Sequence, residues 1–361
     1  MEPDRALTNR RLDRLRSLLG AAGGAAVLIL DLKNIQYLVG FTGSDGALLV
    51  APDSAMLLVD GRYENQAKRE TAGVEVCRYG DKIAGMAAAV SGCARGRILF
   101  EAATMTVESH AKLVERLPGV HLIQAPTDLG RLRTVKEEWE IERMRKAARV
   151  AGDAALAVLN CIRPGVQERD IAIELEYKMR RLGADGIAFP PIIASGPNSA
   201  LPHAAPGNRR IQEHDVIVMD YGAVVGGYRS DETITVSVGS PPDGFREEYA
   251  VVREAHDIAI RTVRSGVACN SVDAAARGFL SEKGRGPFFT HGTGHGVGLD
   301  VHEHPRLAAA SEDLLETEMV VTVEPGIYLE DCWGIRIEDM VRVRNGDCEI
   351  LTVLAKDPMV L

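Results

Sequence analysis

The sequence predicts an α/β domain followed by an α+β domain that contains a duplicated half. Three observations predict this fold class. Short apolar strands alternate with helices over residues 25–125, the chain becomes strongly helical near residue 130, and two similar segments recur in the second part. A chain of 361 residues is also long enough to form two cores. We therefore expect one domain at residues 1–131 and a second at 132–361.

The first domain is indicated by predicted strands, each bounded by turns on both sides. A helix is predicted at about 6–19 and another at 106–117. The predicted strands, rich in branched apolar residues, are "AAVLIL", "GALLVA", "AMLLVD", "RILFEA" and "VHLIQA". This alternation is typical of a layered α/β domain. The segment carries neither GxGxxG nor GxxxxGK[ST], so nothing in it indicates a nucleotide site.

The second domain begins with a long amphipathic helix near residues 132–162. Thr134 and Glu137 fit a capping box for this helix. Its apolar stripe is Ile141, Met144, Ala148, Ala151, Ala155 and Leu159. Downstream, "IRPGVQERDIA" (162–172) resembles "VRSGVACNSVD" (263–273), and each segment follows one predicted helix and precedes another. Either a duplicated half-domain or two common helix–turn–helix junctions would explain this similarity.

Composition excludes several classes of function. The net charge of −9 argues against a nucleic-acid partner. The densely charged N-terminus is unlike a secretory signal, and the longest apolar run, "GAAGGAAVLIL" (20–30), is too short to span a bilayer. The six cysteines are scattered, which disfavours a disulfide framework or a thiolate zinc site. We therefore expect a cytoplasmic protein with no membrane partner.

A glycine-rich segment, "HGTGHGVGLDVHEHP" (291–305), holds four of the nine histidines in the chain. Glycines at alternate positions disfavour a helix and let the backbone approach neighbouring groups closely. The segment is therefore predicted to belong to a site, but alone it does not specify the chemistry.

Acidic residues that interrupt apolar strands supply the second part of that site. Asp220 and Asp231 lie in a predicted hairpin, 216–238, with its turn at Gly226-Gly227, and Glu324 and Glu338 interrupt two later apolar runs. Any one of these acids could form a salt bridge or end a solvated strand. Four buried carboxylates in one pocket would repel one another unless cations lie between them. Two divalent ions would balance four such charges. Oxygen-rich ligands favour Mn²⁺ and admit Co²⁺ or Fe²⁺, while Zn²⁺ fits less well.

These motifs and their order resemble a known family. "DYG", "SDETITV", "GTGHGVGLDVHE", "VEPGIY" and "GIRIED" are similar to the motifs of pita-bread metallopeptidases of the proline-peptidase branch, which includes aminopeptidase P and prolidase. The N-terminal part resembles the creatinase-like α/β domain through "NIQYLVGFTGSDGALLV" (34–50) and "DGRY" (60–63). The resemblance thus implies a creatinase-like N-terminal domain followed by a pita-bread catalytic domain.

Five metal ligands are implied by the resemblance. Asp220 would bind one ion, while Asp231 and Glu338 would bridge two ions. His295 and Glu324 would bind the same ion as each other. The implied cofactors are two divalent metal ions, with Mn²⁺ favoured over Co²⁺, Fe²⁺ or Zn²⁺.

The resemblance also implies residues that contact the substrate. His203 and His302 would face the peptide, His302 near the scissile carbonyl, and His291 would line the pocket for the proline side. Arg336 would set the electrostatics beside the last ligand. The implied catalytic residues are His203, His302, Glu324 and Arg336. Simpler roles are loop support for His291 or His302, and an ion pair of Arg336 with Glu338 or Asp339.

One position departs from the family pattern. The family has an arginine where this chain has Ile234, in "SDETITV". All five implied ligands are present, so the departure puts in doubt only the contacts around them or the substrate preference.

The implied activity is that of an Xaa-Pro aminopeptidase, which hydrolyses the bond between an N-terminal residue and a following proline in short peptides. The alternative is an Xaa-Pro dipeptidase, or prolidase, which shares every ligand. Remote alternatives are a creatinase-like hydrolase that needs no metal and a non-catalytic binding module. Members of this family often form homodimers, and we expect the same here.

Overall fold

Residues 4–93 and 96–361 are described by a computed structural model of the chain. The chain divides into two units, Met1–Arg133 and Thr134–Leu361. The boundary predicted between residues 131 and 132 lies two residues before this division and remains a prediction. In the described ranges, no helix is both long and apolar enough to span a membrane.

The N-terminal unit is built on a six-stranded mixed sheet with the order β4-β3-β2-β1-β5-β6. Its strands are β1 (Ala26–Ile29), β2 (Ala47–Val50), β3 (Ala55–Val59), β4 (Glu75–Arg78), β5 (Gly96–Phe100) and β6 (Val120–Gln124). Its helices are α1 (Arg5–Ala21), α2 (Leu32–Val39), α3 (Glu64–Glu70), α4 (Lys82–Cys93) and α5 (Val107–Arg116). The pairs β1–β5 and β5–β6 are parallel, and β2 joins β1 to β3 in antiparallel pairs. The predicted α/β class is confirmed, although the sequence did not reveal α2, α3, α4 and β4.

The second unit combines four helices with several small sheets. Its helices are α6 (Glu138–Leu159), α7 (Glu168–Arg181), α8 (Phe245–Thr262) and α9 (Cys269–Glu282). Its strands are β7 (Gly186–Ile187), β8 (Ile192–Ser195), β9 (Val216–Tyr221), β10 (Ala223–Val225), β11 (Tyr228–Arg229), β12 (Glu232–Ser237), β13 (Gly294–Gly296), β14 (Glu303–Leu307), β15 (Val320–Val323), β16 (Gly326–Leu329), β17 (Trp333–Arg336), β18 (Asp339–Arg342), β19 (Glu349–Ile350) and β20 (Met359–Val360). The two sheets that matter most for the site have the orders β20-β12-β9-β8 and β14-β13-β15-β18-β19.

The two similar segments form equivalent turns. The first joins α6 to α7 and the second joins α8 to α9. Gly165 and Gly266 both have positive φ, 92° and 86°, a conformation that glycine adopts without strain. Gly165 donates its N–H to the Ile211 carbonyl at 2.8 Å, and Gly266 donates to the Leu315 carbonyl at 2.7 Å. Because conformation and pairing both recur, the duplicated half-domain is confirmed.

The start of α6 differs from the prediction. The helix begins at Glu138, so Thr134 lies too far upstream to cap it. The Glu140 carboxylate instead accepts the N–H of Glu137 at 2.8 Å. The proposed Thr134–Glu137 capping box was therefore wrong by three residues. The apolar stripe along α6 is buried as predicted.

The predicted hairpin carries two of the implied ligands. β9 pairs with β12 in antiparallel register, with Asp220 opposite Thr233. The connection turns at Gly226 and Gly227, where φ is 59° and 85°. Asp231 therefore comes immediately before β12, at the same end of the strand pair as Asp220.

Strand β13 lies so close to its neighbours that it requires glycine. A Cβ at Gly294 would lie 2.0 Å from the carbonyl oxygen of Thr322 on β15. A Cβ at Gly296 would lie 2.1 Å from the carbonyl oxygen of His304 on β14. The alternating glycines therefore allow His295 to enter a site between two closely spaced strands.

Gly294→Ala should destabilise the protein, because the new methyl group meets rigid backbone rather than a movable side chain. We expect the free energy of unfolding to fall by about 1–3 kcal/mol, as for other overpacked interiors. The matched control is Gly278→Ala in α9, where a Cβ has no neighbour within 4 Å. The control should be neutral or stabilising by up to about 1 kcal/mol. Urea unfolding would measure both variants, and equal effects would contradict the close approach.

Candidate metal centre

Five strands of the second unit bring the implied ligands to one cavity, from positions within the strands or next to their ends. Asp220 is on β9 and Asp231 precedes β12, His295 is on β13, and Glu324 and Glu338 lie at the ends of β15 and β18. All five line a cavity of about 320 Å³. Strands that carry mainly apolar residues elsewhere thus present their few charged side chains at a common point.

The ligand atoms converge. The Nε2 atom of His295 lies 3.4 Å from Oε1 of Glu324 and 3.7 Å from Oδ2 of Asp231. Asp231, His295 and Glu338 each offer one ligand atom, and these atoms lie within 4.8 Å of one another. The Oδ1 atom of Asp220 is buried and accepts no hydrogen bond from the described residues. An orphaned carboxylate oxygen beside three converging groups fits the donor set of a cation site.

The orientation of His295 leaves its metal-binding nitrogen free. Its Nδ1 atom lies 3.0 Å from the carbonyl oxygen of Gly296. A carbonyl can only accept, so Nδ1 carries the proton and Nε2 presents a lone pair to the carboxylates. Burial lowers the pKa of His295 to about 3, which keeps the ring neutral at physiological pH.

The carboxylates that line the cavity repel one another. Burial and the neighbouring acids raise the pKa values of Asp231 and Glu338 well above their ordinary range. Burial, partly offset by the charge of Arg336, raises the pKa of Glu324 to about 7. Thr233 donates to Oε2 of Glu338 at 2.6 Å, which holds that carboxylate in place. Divalent cations would relieve this repulsion, so the residues present fit a site for such ions.

Arg336 is buried and organises one side of the cavity. Its Nη2 donates to Oδ2 of Asp220 at 2.7 Å, and its Nη1 donates to the hydroxyl of Tyr328 at 2.8 Å. Its Nη1 also meets the carbonyl of Pro202 at 3.1 Å. The simpler ion pair considered from the sequence, with Glu338 or Asp339, is therefore replaced by a pair with Asp220.

Three further histidines line the same cavity. The Nδ1 atom of His291 lies 2.8 Å from the Gly292 carbonyl, so its Nε2 accepts from the hydroxyl of Tyr328, also at 2.8 Å. The ring of His302 stacks edge-to-face on His295 with centroids 4.3 Å apart. His203 lies on the loop that follows β8. The cavity thus gathers every residue that the sequence analysis singled out for catalysis or substrate binding.

The neighbours of two implied ligands belong to a separate buried charge cluster. Glu232 follows Asp231, and Asp339 follows Glu338. The Nζ atom of Lys356 lies 2.5 Å from Glu232 and 3.3 Å from Asp339. Because strand side chains alternate in direction, these groups brace the strands from the opposite face. Ile234 is 2% exposed and packs in an apolar cluster, so its departure from the family arginine leaves no polar gap.

Sequence reasoning missed Arg306 and Tyr328. Arg306 lines the cavity and lies opposite His295 in the β13–β14 register. Its side chain forms no hydrogen bond or ion pair with the described part of the chain. Its position two residues after His304 in a short strand was visible in the sequence, but its register with β13 was not. Arg306 is therefore available to bind a ligand in the cavity.

Comparisons with known proteins agree with this geometry. The profile of Metallopeptidase family M24 matches residues 142–345, and that of the Creatinase/Prolidase N-terminal domain matches residues 11–135. The chain is 33% identical over 348 residues to the Xaa-Pro dipeptidase of Pyrococcus horikoshii, covering 96% of this chain and 97% of the relative.

Solved structures are also similar over nearly the whole chain. An Xaa-Pro dipeptidase from Bacillus anthracis matches with a TM-score of 0.95 and 36% identity, over 98% of this chain and 100% of the other. An X-Pro aminopeptidase from Thermotoga maritima matches with a TM-score of 0.89 and 37% identity, over 97% and 99%. The predicted two-domain fold and its family are thereby confirmed: the chain belongs to Metallopeptidase family M24, with a Creatinase/Prolidase N-terminal domain preceding the pita-bread catalytic domain.

Proposed function

We propose that this protein is an Xaa-Pro dipeptidase that depends on divalent metal ions. The observation that carries the proposal is the cavity in which four carboxylates and His295 converge beside Arg306, an arginine with no ion pair to the described part of the chain. The relatives from Pyrococcus horikoshii and Bacillus anthracis, both described as Xaa-Pro dipeptidases, support it. They favour the dipeptidase over the aminopeptidase that the sequence analysis preferred. The homodimer and the cytoplasmic location remain predictions.

Two ions would be held by Asp220, Asp231, His295, Glu324 and Glu338. Carboxylate oxygens with one imidazole suit Mn²⁺, as the sequence analysis expected. When bound, divalent ions supply Lewis acidity and a hydrolytic nucleophile at neutral pH. Asp220 keeps one oxygen free for this role, because Arg336 occupies only its other oxygen.

Glu324 would move the proton in the reaction. Glu324 lines the cavity together with His203, His291 and His302, so a carboxylate that can accept a proton lies beside the substrate. Glu324 takes the proton that the attacking water gives up and passes it to the proline nitrogen as the carbon–nitrogen bond breaks. The products are the free amino acid and proline, with one water consumed.

The histidines would orient the peptide. His302 donates to the scissile carbonyl oxygen as negative charge develops on it. His291, held by Tyr328, lines the region for the proline ring, and His203 contacts the leaving side. Proline offers no backbone N–H, so the site must recognise ring shape and carbonyl groups instead. Arg336 keeps Asp220 and Tyr328 fixed while these groups act.

Arg306 would distinguish dipeptides from longer peptides. The α-carboxylate of an Xaa-Pro dipeptide lies one residue beyond the scissile bond, whereas a longer peptide has a neutral amide there. Arg306 pairs with none of the residues that the structure describes, so it is available to form a charge-assisted pair with that carboxylate. This pairing supports dipeptide preference.

The second candidate is an Xaa-Pro aminopeptidase. The likeness to the Thermotoga maritima protein, an X-Pro aminopeptidase, favours it. The five implied ligands serve both activities equally. The two functions therefore differ only in the peptide length that the cavity accepts.

Loss of one ligand should abolish hydrolysis. His295→Ala, supplied with Mn²⁺, should lose more than about 100-fold in kcat/KM on an Xaa-Pro dipeptide, since even outer contacts of a metal site are worth 10–100-fold. The control is His121→Ala, which changes an exposed histidine of the N-terminal unit. Activity of His295→Ala within tenfold of the wild type would exclude the proposed centre.

Mn²⁺ affinity should rise with pH. Acids with raised pKa values hold protons in the metal-free protein and must release them to bind a cation. The dissociation constant should therefore fall as the pH rises towards about 7, the pKa of Glu324 in the metal-free protein. The change should be about tenfold per pH unit for each proton released. Calorimetry in buffers of different ionisation enthalpy would count these protons, and affinity independent of pH would contradict the electrostatic assignment.

Arg306→Leu should lose hydrolysis of the dipeptide far more than that of an Xaa-Pro-Yaa tripeptide. A hydrogen bond to a charged group is worth about 1.5–3 kcal/mol, so kcat/KM on the dipeptide should fall about 10–100-fold. Arg306→Lys should recover part of this loss because it keeps the charge. Equal losses on both peptides, or no loss, would favour the aminopeptidase.

A further inference from the structure

The loop that carries His203 lies outside the sheets. It leaves β8 at Ser195, passes through a short 3-10 turn at Gly196–Ala200, and runs to Gly207. His203 and Pro202 line the cavity, and the Pro202 carbonyl accepts from Arg336 at 3.1 Å. None of the implied metal ligands lies in this loop. Its position must therefore be set by contacts other than those of the cations.

Glu168 provides several of these contacts, in addition to the hydrogen bond that the Gly334 N–H donates to the Ser199 hydroxyl at 2.9 Å. It is the first residue of α7 and is fully buried, with 0% of its surface exposed. Its Oε1 accepts the N–H of Ser195 at 2.8 Å and the Ser195 hydroxyl at 2.7 Å. Its Oε2 accepts the N–H of Gly207 at 3.1 Å, and the side-chain amide of Asn198 contacts both oxygens. One carboxylate thus joins the two ends of the loop and a point between them.

The other half of the domain contains the same device. Asp273 on α9 is 1% exposed. Its Oδ1 accepts the N–H of Thr293 at 3.1 Å and the Thr293 hydroxyl at 2.9 Å. Thr293 lies midway between His291 and His295. In both halves, a buried carboxylate on the second helix therefore holds the N–H and hydroxyl of a residue in a segment that carries cavity histidines.

We propose that Glu168 is a positioning residue that holds His203 at the substrate cavity through the Ser195–Gly207 loop. This inference rests on the proposed function for its substrate, since His203 would contact the leaving side of an Xaa-Pro peptide. Glu168 is not among the residues that line the cavity, so it acts only through the loop.

Glu168→Gln tests this role with almost no change in shape. The amide has one acceptor oxygen and an NH₂ donor, whereas every group around Glu168 is a donor. Either orientation sets an NH₂ against Ser195 or against Gly207, so the hydrogen bond from residue 168 to one end of the loop is lost. The matched control is Asp170→Asn, an exposed acid on the same helix.

Three measurements separate positioning from a general structural role. Backbone hydrogen exchange across residues 195–207 should speed up in Glu168→Gln and stay unchanged in Asp170→Asn. KM for an Xaa-Pro dipeptide should rise about tenfold while kcat changes less than threefold, because uniform binding is lost. The dissociation constant for Mn²⁺ alone should stay within twofold of the wild type. Unchanged exchange, unchanged KM, or a parallel loss of Mn²⁺ affinity would each overturn the proposal.

Asn198→Ala provides a second variant in case Glu168→Gln does not fold. This substitution removes the contacts between the Asn198 side chain, which is partly exposed, and the Glu168 carboxylate. Backbone hydrogen exchange and KM should change in the same direction as in Glu168→Gln, by a smaller amount. Unchanged values in that folded variant would overturn the proposal. If the wild-type protein does not hydrolyse Xaa-Pro peptides, the proposed function fails. The positioning role of Glu168 is then tested by backbone hydrogen exchange alone, and unchanged protection of residues 195–207 would overturn it.

Discussion

Repulsion among buried carboxylates is the constraint on which the second unit depends. Asp220, Asp231, Glu324 and Glu338 meet in one cavity, and among the residues that the structure describes only Arg336 brings a full positive charge into contact with one of them. Burial and mutual repulsion raise the pKa values of Asp231, Glu324 and Glu338, and without further cations this favours their protonated forms. Holding these acids together therefore costs stability in the metal-free protein, and bound cations would offset that cost.

The duplicated half-domain explains how a small set of strands delivers so many charged groups. Each half supplies a helix pair, a glycine turn and a strand pair, and the cavity lies where strands from both halves end. Apolar clusters behind β9, β12 and β15 fix the strands, so the few polar residues at their ends are held with little freedom. The buried Lys356, Glu232 and Asp339 cluster adds rigidity from the opposite face.

The features that could be predicted from the sequence are those that depend on local periodicity or on the order of motifs. Strands of branched apolar residues, the stripe on α6, and the hairpin at Gly226-Gly227 were predictable because they depend on local patterns. The roles of Arg306 and Tyr328 were not, since each depends on register between strands distant in sequence. In the sequence, Glu168 could not be distinguished from other acids near helix starts. Its proposed role depends on four donor groups, which come from Ser195, Asn198 and Gly207. Thr134 failed as a cap because several helix starts were compatible with the same residues.

The hydrogen bond from Nδ1 of His295 to the Gly296 carbonyl has a consequence for how ions enter and leave. The imidazole already has the tautomer that a cation needs, and its low pKa means that it carries no extra proton at neutral pH. Loading and unloading therefore leave the ring chemically unchanged. The protons displaced into the medium therefore come from the carboxyl groups and from water that ionises on the cations, and none comes from the imidazole.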